Sequence, residues 1–388
     1  MRPIYLDNNA TTQPAPEVLD AMLPFLRERW GNPSSMHAFG GGVAKAVDRA
    51  RQQVAALINA DPSEILFTSC GTESNNTAIF GSAELHGPAM RLVTTRVEHP
   101  AVLGPAHRLR ERGHNVTELG VDAKGQPDLA ALRQALVGNG SALLSAMWAN
   151  NETGVVFPIR EIAETAKAAG FTVHTDAVQA VGKETVDVAK TPVDMLSLSG
   201  HKIHAPKGVG ALYVRRGTRL KTWMLGGHQE NGRRGGTENV PHIVALGAAA
   251  ELAMKNFDAE RARLAAMRDR LERGILQTCP DSRVNGDTQN RLPNTTNISF
   301  EFIEGEAILY HLSDANICAS SGSACASGSL EPSHVIRAMG VPFTAAHGSI
   351  RFSLSRDTTD ADIDAALAAL PPIVAKLRAL SPFVETGK

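Results

Sequence analysis

Short apolar runs that end in polar or small residues, each followed by an alanine-rich amphipathic stretch, recur along this chain. Runs of four to six residues bounded in this way read as buried strands, and the stretches between them have helical spacing. Strands alternating with helices predict an α/β fold around a mainly parallel sheet. The predicted strands lie at 64–68, 90–95, 142–146, 171–175 and 195–198, with 210–214 following after a turn. In open sheets of this type ligands collect beyond the carboxyl ends of the strands, so polar residues there are the first candidates for chemistry. From about residue 239 to 276, Phe257, Leu264, Met267, Leu271 and Ile275 recur at helical spacing with no proline after Pro241. That pattern predicts one long helix leading out of the first domain. The remainder alternates strand and helix patterns again and closes on a predicted helix over 360–380.

A length of 388 residues suits two domains sharing a large core. Lys and Arg total 39 against 40 Asp and Glu, a net charge of −1, which offers no field to nucleic acid or to anionic lipid. The opening MRPIYLDNNATT lacks a basic and apolar leader, and no apolar run reaches about 18 residues, so no membrane span and a cytoplasmic location are expected. The four cysteines, Cys70, Cys279, Cys318 and Cys325, show neither a CxxC pair nor zinc-ligand spacing. Neither a disulfide framework nor a metal site is expected.

The segment Val-His-Thr-Asp176-Ala-Val-Gln179 places Asp176 just past one predicted strand, and Ser199-Gly-His201-Lys202 places Lys202 past the next. Alone, either residue reads as a turn aspartate or a surface lysine; the pairing at one sheet edge is what distinguishes them. Ser-Cys-Gly71-Thr72-Glu-Ser lies between a strand and a helical stretch, where free backbone N–H groups can cap a helix or bind an anion. His99, in Glu-His-Pro, and Asn151, in Asn-Asn-Glu-Thr-Gly, also follow predicted strands and are compatible with simple turns. Cys325 sits among small and polar residues in Ser-Ser-Gly-Ser-Ala-Cys-Ala-Ser-Gly-Ser, unlike a core cysteine, which has apolar neighbours. Cys70, Cys279 and Cys318 read as structural. Arg-Arg-Gly-Gly-Thr237-Glu-Asn reads as a solvated basic turn. The glycines after Met36 follow no strand and lack a Lys-Ser/Thr ending, so no nucleotide site is assigned to them.

The motifs Tyr-Leu-Asp-Asn-Asn-Ala-Thr-Thr, His-Thr-Asp-Ala-Val-Gln, Ser-Gly-His-Lys and Ser-Ser-Gly-Ser-Ala-Cys together resemble the cysteine desulfurases, class V aminotransferase-like enzymes, over residues 4 to 382. Met-Trp-Ala-Asn-Asn-Glu-Thr-Gly and the wording after Cys325 are most similar to the nitrogen-fixation type. The resemblance implies a fold type I enzyme with a mainly parallel seven-stranded sheet. It divides the chain into a large cofactor-binding domain over 15–260 and a smaller α/β domain over 1–14 and 261–388 carrying the cysteine loop. It further implies pyridoxal 5'-phosphate bonded to Lys202, whose freed amine acts as base at the substrate Cα, with Asp176 on the ring nitrogen, Gln179 on the ring oxygen and His99 stacked on the ring as a catalytic residue able to move protons. By the same resemblance Gly71, Thr72, Ser199 and His201 hold the phosphate, and Thr237 reaches the phosphate of the neighbouring subunit in a homodimer. Asn151 and Arg351, in Ser-Ile-Arg-Phe-Ser-Leu, take the substrate side, and Cys325 receives sulfur from L-cysteine for transfer to an iron–sulfur scaffold protein. A selenocysteine lyase or aminotransferase on the same fold, and a non-catalytic sulfur-relay scaffold, are the competing expectations. The loop cysteine argues against transamination, and the joint presence of Lys202, Asp176 and Cys325 argues against a scaffold.

Overall fold

The computed structural model describes residues 2–138, 140–321 and 331–382, so Cys325 lies outside the described residues. In chain order the strands are β1 (Ile4–Tyr5), β2 (Ile65–Thr68), β3 (Arg91–Thr95), β4 (Val116–Leu119), β5 (Ala142–Ser145) and β6 (Thr172–Asp176). They continue with β7 (Met195–Ser199), β8 (Gly210–Val214), β9 (Ser282–Val284), β10 (Thr295–Phe300), β11 (Ile317–Cys318) and β12 (Ser349–Ser353). Seven of them form one sheet in the order β2-β8-β7-β6-β5-β3-β4. β8 runs antiparallel to both its neighbours, and the remaining pairings are parallel.

Alternate residues of these strands feed two apolar layers, as the period of two requires. Ile65, Phe67, Leu144 and Leu196 face the helices Pro16–Arg27, Ala38–Leu57 and Val240–Lys255. Leu66, Leu143, Met195 and Leu212 face the helices Gly71–His86 and Pro100–Glu111. A sheet covered on both faces needs apolar residues at successive positions, which is why these strands read as continuous runs in the sequence. β4 is the exception. It is an edge strand with only Leu119 buried, and it leaves no such run.

A second core gathers around the antiparallel sheet β12-β10-β9. Ile298, Phe300, Ile350 and Phe352 pack there against Leu271 and Ile275 of the helix Phe257–Thr278 and Ile363 and Leu370 of the helix Asp360–Leu380. The chain's beginning joins this core, because β1 pairs in parallel with β11 and Leu6 is fully buried among the same side chains. Asp360–Leu380 matches the predicted final helix and is opened by a capping box between Thr359 and Asp362.

The single helix expected from 239 to 276 is instead two helices, Val240–Lys255 and Phe257–Thr278. Asn256 between them has φ −131° and ψ 28°, outside the helical region. Asparagine is a poor helix-interior residue, and the apolar period continues across it, so periodicity alone does not reveal the break.

Candidate active site

The carboxyl ends of β6 and β7 lie side by side, with Asp176 in register with Ser197. β6 ends on Asp176, and a single turn of 3-10 helix, Gly200–Lys202, follows β7. Asp176 is buried, and its carboxylate accepts from Asn75 Nδ2 at 2.6 Å and from the Val178 backbone N–H at 2.9 Å. The Lys202 ammonium donates to the carbonyl oxygens of Asn9 and Ala10 at 2.5 and 2.9 Å. Gln179 Nε2 donates to the same Asn9 carbonyl at 2.9 Å.

The helix Gly71–His86 starts on the same side of the sheet. Its N-cap Cys70 makes no side-chain capping bond, so the first-turn N–H groups are available to an anion. A Cβ on Gly71 would stand 2.7 Å from Val178 Cγ2, so glycine is required for this helix to approach the sheet. Ser199 Oγ and Asn75 Oδ1 are buried and have no partner among the described residues. A buried polar atom left this way costs free energy unless a ligand satisfies it. His201 Nδ1 lies 3.1 Å from Thr11 Oγ1. Burial, reinforced by the charges of Lys202 and Lys207, lowers the His201 ring to about 4. It is therefore neutral near pH 7. Glu73, in the first turn of the same helix, is buried, which alone would raise its pKa. Its bonds to Arg234 and to the Ser69 N–H outweigh that, and the net shift is downward.

His99 caps the helix Pro100–Glu111, its Nδ1 accepting from the Ala101 N–H at 3.0 Å, which leaves the ring proton on Nε2 in the neutral form. Burial lowers its pKa, helped by Lys202 and His334 and opposed by Asp176. Beneath it, Glu98 Oε1 accepts from Thr95 Oγ1 at 2.8 Å and from the Met147 N–H at 2.9 Å, bracing the loop after β3 against the loop after β5. Burial pushes the Glu98 carboxyl up to about 8.

Arg351 comes from the middle of β12 and is 2% exposed. Its guanidinium donates to Asp7 Oδ1 at 2.6 Å and to the Asn151 carbonyl at 2.9 Å, while its Nε is buried without a partner among the described residues. Asn151 is placed by a side-chain turn, in which Asn150 Oδ1 accepts from the N–H groups of Glu152 and Thr153. Gly154 closes that turn at φ +78°, where a Cβ would also meet Thr295 Cβ at 2.9 Å.

One cavity of about 230 Å³ is lined by ten of the residues singled out in the sequence: Gly71, Thr72, His99, Asn151, Asp176, Gln179, Ser199, His201, Lys202 and Arg351. Thr237 is not among them. It lines a separate cavity with Thr68, Glu230 and Arg234. Before and after the segment that contains Cys325, one described residue on each side is tied to the first cavity's wall. Ser320 exchanges backbone hydrogen bonds with Arg351, and Ser333 Oγ donates to Glu152, next to Asn151. Cys70 also lines the cavity, whereas Cys279 is buried in the second core and Cys318 is part of β11. The sequence reading missed Asn75, Asn9 and Asp7. Asn75 lies one helical turn beyond Gly71, a spacing that could have marked it, while Asn9 and Asp7 become neighbours of Lys202 and Arg351 only through the long-range contacts of the N-terminal segment.

An anion-accepting helix end, an unpartnered serine hydroxyl, a buried carboxylate and a lysine surround one space, and these groups fit a phosphorylated pyridine aldehyde. Residues 4–366 match the family model for aminotransferase class V. The chain belongs to this family. Within it, the chain is 59% identical over 384 residues to "Cysteine desulfurase 2" of Trichormus variabilis, covering 99% of this chain and 96% of that one. It is 55% identical over 384 residues to "Cysteine desulfurase NifS" of Azotobacter vinelandii, covering 99% and 95%. Among solved structures, a "NifS-like protein" superposes with a TM-score of 0.91 at 36% identity, covering 97% of this chain and 100% of that one. The chain is thus a NifS-type member of the class V aminotransferases, with the fold type I architecture and the pyridoxal-phosphate dependence that this family implies.

Proposed function

We propose that this enzyme removes sulfur from L-cysteine, giving L-alanine and a persulfide on Cys325 that is passed on for iron–sulfur cluster assembly of the nitrogenase-related kind. The observation that carries the reading is the convergence of Asp176, Lys202 and Arg351 on one buried cavity. When bound, pyridoxal 5'-phosphate supplies an electron sink for the substrate Cα. Lys202 would hold the cofactor covalently, and its amine would move the proton at Cα. Asp176 keeps the ring nitrogen protonated, Gln179 donates to the ring oxygen, and His99 stacks on the ring. Gly71, Thr72, Ser199 and His201 hold the phosphate. Arg351 offers a planar fork to the substrate carboxylate, beside Asn151.

Cys325 acts as a thiolate, since the neutral thiol is a poor nucleophile. It attacks the substrate sulfur, and the S–S bond forms as the Cβ–S bond breaks. The bonding pair stays on Cβ, which takes a proton and becomes the methyl group of alanine. Cysteine plus thiol thus gives alanine plus persulfide, with no external oxidant.

The reading includes a homodimer in which Thr237 completes the partner's phosphate site. Its support is that Thr237 lies outside the cavity of its own chain, and that Trp223 and Leu225 in the preceding segment are exposed at 40% and 82%. It also divides the chain into a cofactor domain over 15–260 and a smaller domain over 1–14 and 261–388, with the two sheets as their centres. A scaffold protein is the sulfur acceptor, and the cytoplasm, which keeps thiols reduced, is the compartment. Among the described residues no helix is long and apolar enough to cross a membrane. L-Cysteine added to the purified enzyme should yield alanine and protein-bound persulfide in equal amounts in the first turnover. Pyruvate and free sulfide without persulfide would overturn the proposal.

A further inference from the structure

Lys183 has no role in the chemistry above, yet it belongs to the same hydrogen-bonded chain as Lys202. It lines a second cavity of about 220 Å³ that shares Lys202 with the first. Its ammonium donates to Gln179 Oε1 at 2.8 Å, and Gln179 Nε2 donates to the Asn9 carbonyl at 2.9 Å. The same carbonyl receives Lys202 Nζ. These two contacts leave the Gln179 amide one orientation. A backbone carbonyl can only accept, so the amide nitrogen must face Asn9 and the oxygen faces Lys183, whose amine can donate to it whether charged or neutral. Reversed, the amide would set oxygen against oxygen at Asn9. Nε2 carries two hydrogens and spends one on Asn9; Gln179 is 4% exposed and lines the cofactor cavity. The second hydrogen remains for a ligand acceptor.

Among the described residues, the carboxylates beside Lys183 and those that pair with the arginines of its cavity are committed to other partners. Glu184 pairs with Arg261 and Glu260 with Arg263, while Glu17 pairs with Arg356. The cations that act on Lys183 are Lys202 and Arg351, and Arg261, Arg356 and His204 line the same cavity. Burial, reinforced by those two charges, lowers the Lys183 amine to about 7.

We infer that Lys183 is a positioning residue that holds Gln179 with an N–H turned into the cofactor cavity. The inference rests on the proposed contact between Gln179 and the cofactor's ring oxygen. A donor at that oxygen stabilises its negative charge and so favours loss of the proton on the neighbouring lysine–cofactor linkage. With Lys183 removed, the amide oxygen loses its partner and Gln179 is held only through Nε2 at Asn9, so its second N–H is no longer fixed toward the cavity, and the linkage should hold its proton to higher pH.

The test is a pH titration of the visible absorbance of the resting holoenzyme, in the absence of substrate. Lys183→Met should raise the midpoint by about one pH unit, the equivalent of one lost hydrogen bond. Gln179→Leu should raise it similarly, and the double variant should go no further than either single one. An unchanged midpoint in Lys183→Met would overturn the inference. So would a Lys183→Met shift that persists in full in the Gln179→Leu background, because Lys183 would then act through its charge alone. Should Lys183→Met not fold or load cofactor, Lys183→Gln, which keeps a neutral N–H donor, takes its place. Its midpoint should stay near that of the wild type, and a shift of about one unit would overturn the inference. An unshifted Gln179→Leu would instead overturn the contact between Gln179 and the ring oxygen.

Discussion

The seven-stranded sheet delivers Asp176, Ser199 and Lys202 to the cavity from the ends of two adjacent parallel strands, whereas the three-stranded sheet delivers one side chain, Arg351, from the middle of β12. The two contributions are held differently. Asp176 is fixed from the helix Gly71–His86 and its own turn, within one body of structure. Arg351 is fixed from outside its own sheet, by Asp7 and by the Asn151 loop. The large sheet therefore carries most of the proposed cofactor contacts, with Lys202 and Gln179 also held by Asn9 of the N-terminal segment, and the small sheet carries a proposed substrate contact that depends on how the two bodies meet. Ser320 and Ser333, described residues on either side of the segment that contains Cys325, are bonded to Arg351 and to Glu152 beside Asn151.

That comparison predicts that damage to the two sides can be told apart. The largest effect is expected from Lys202→Ala, which removes both the proposed covalent anchor and the proposed base. Turnover should fall by at least about 10³-fold, since a positioned base alone contributes roughly 10²–10⁴-fold. Residual turnover near the wild-type rate would move the chemistry to another residue. Arg351→Ala should leave the resting cofactor spectrum unchanged and weaken cysteine binding by about 2–5 kcal/mol, the cost of truncating one partner of a buried charge pair. Arg351→Lys should recover only part of this loss, since an ammonium cannot form the bidentate fork. Cofactor loss on either Arg351 substitution would erase the distinction between the two sides.

The smallest effect is on stability. The folded Glu98 carboxyl is raised to about 8 by burial, above its ordinary value. It therefore contributes most to stability when protonated, below the ordinary carboxylate range, and that contribution is lost as pH rises through about 8. Glu98→Gln cannot titrate and should flatten the fall of the unfolding midpoint between the ordinary carboxylate range and about pH 8. An unchanged slope would show that the fall has another origin.

Much of the large sheet was legible in the sequence because its strands are buried on both faces. β2, β5, β7 and β8 are buried at every position and stand out as runs. The reversed direction of β8 was not legible, since strand direction leaves no mark on a short apolar run. The edge strand β4 was missed for lack of burial, and the break at Asn256 because the apolar period ignores it. In the site, Asp176 and Lys202 were readable because each follows a strand end closely. Asp7 and Asn9 were not, because their partners Arg351 and Lys202 lie more than half the chain or nearly so away and are reached only through the packing of the N-terminal segment.

The central claim is that cofactor chemistry and sulfur transfer reside in different residues, and Cys325→Ala tests it most directly. Purified Cys325→Ala holoenzyme is mixed with L-cysteine while the visible spectrum, alanine and protein-bound persulfide are followed together. The account predicts a retained cofactor band that still changes when cysteine binds, with alanine and persulfide both lost. Alanine formed at the wild-type rate by this variant would contradict it and would favour direct elimination of sulfur at the cofactor.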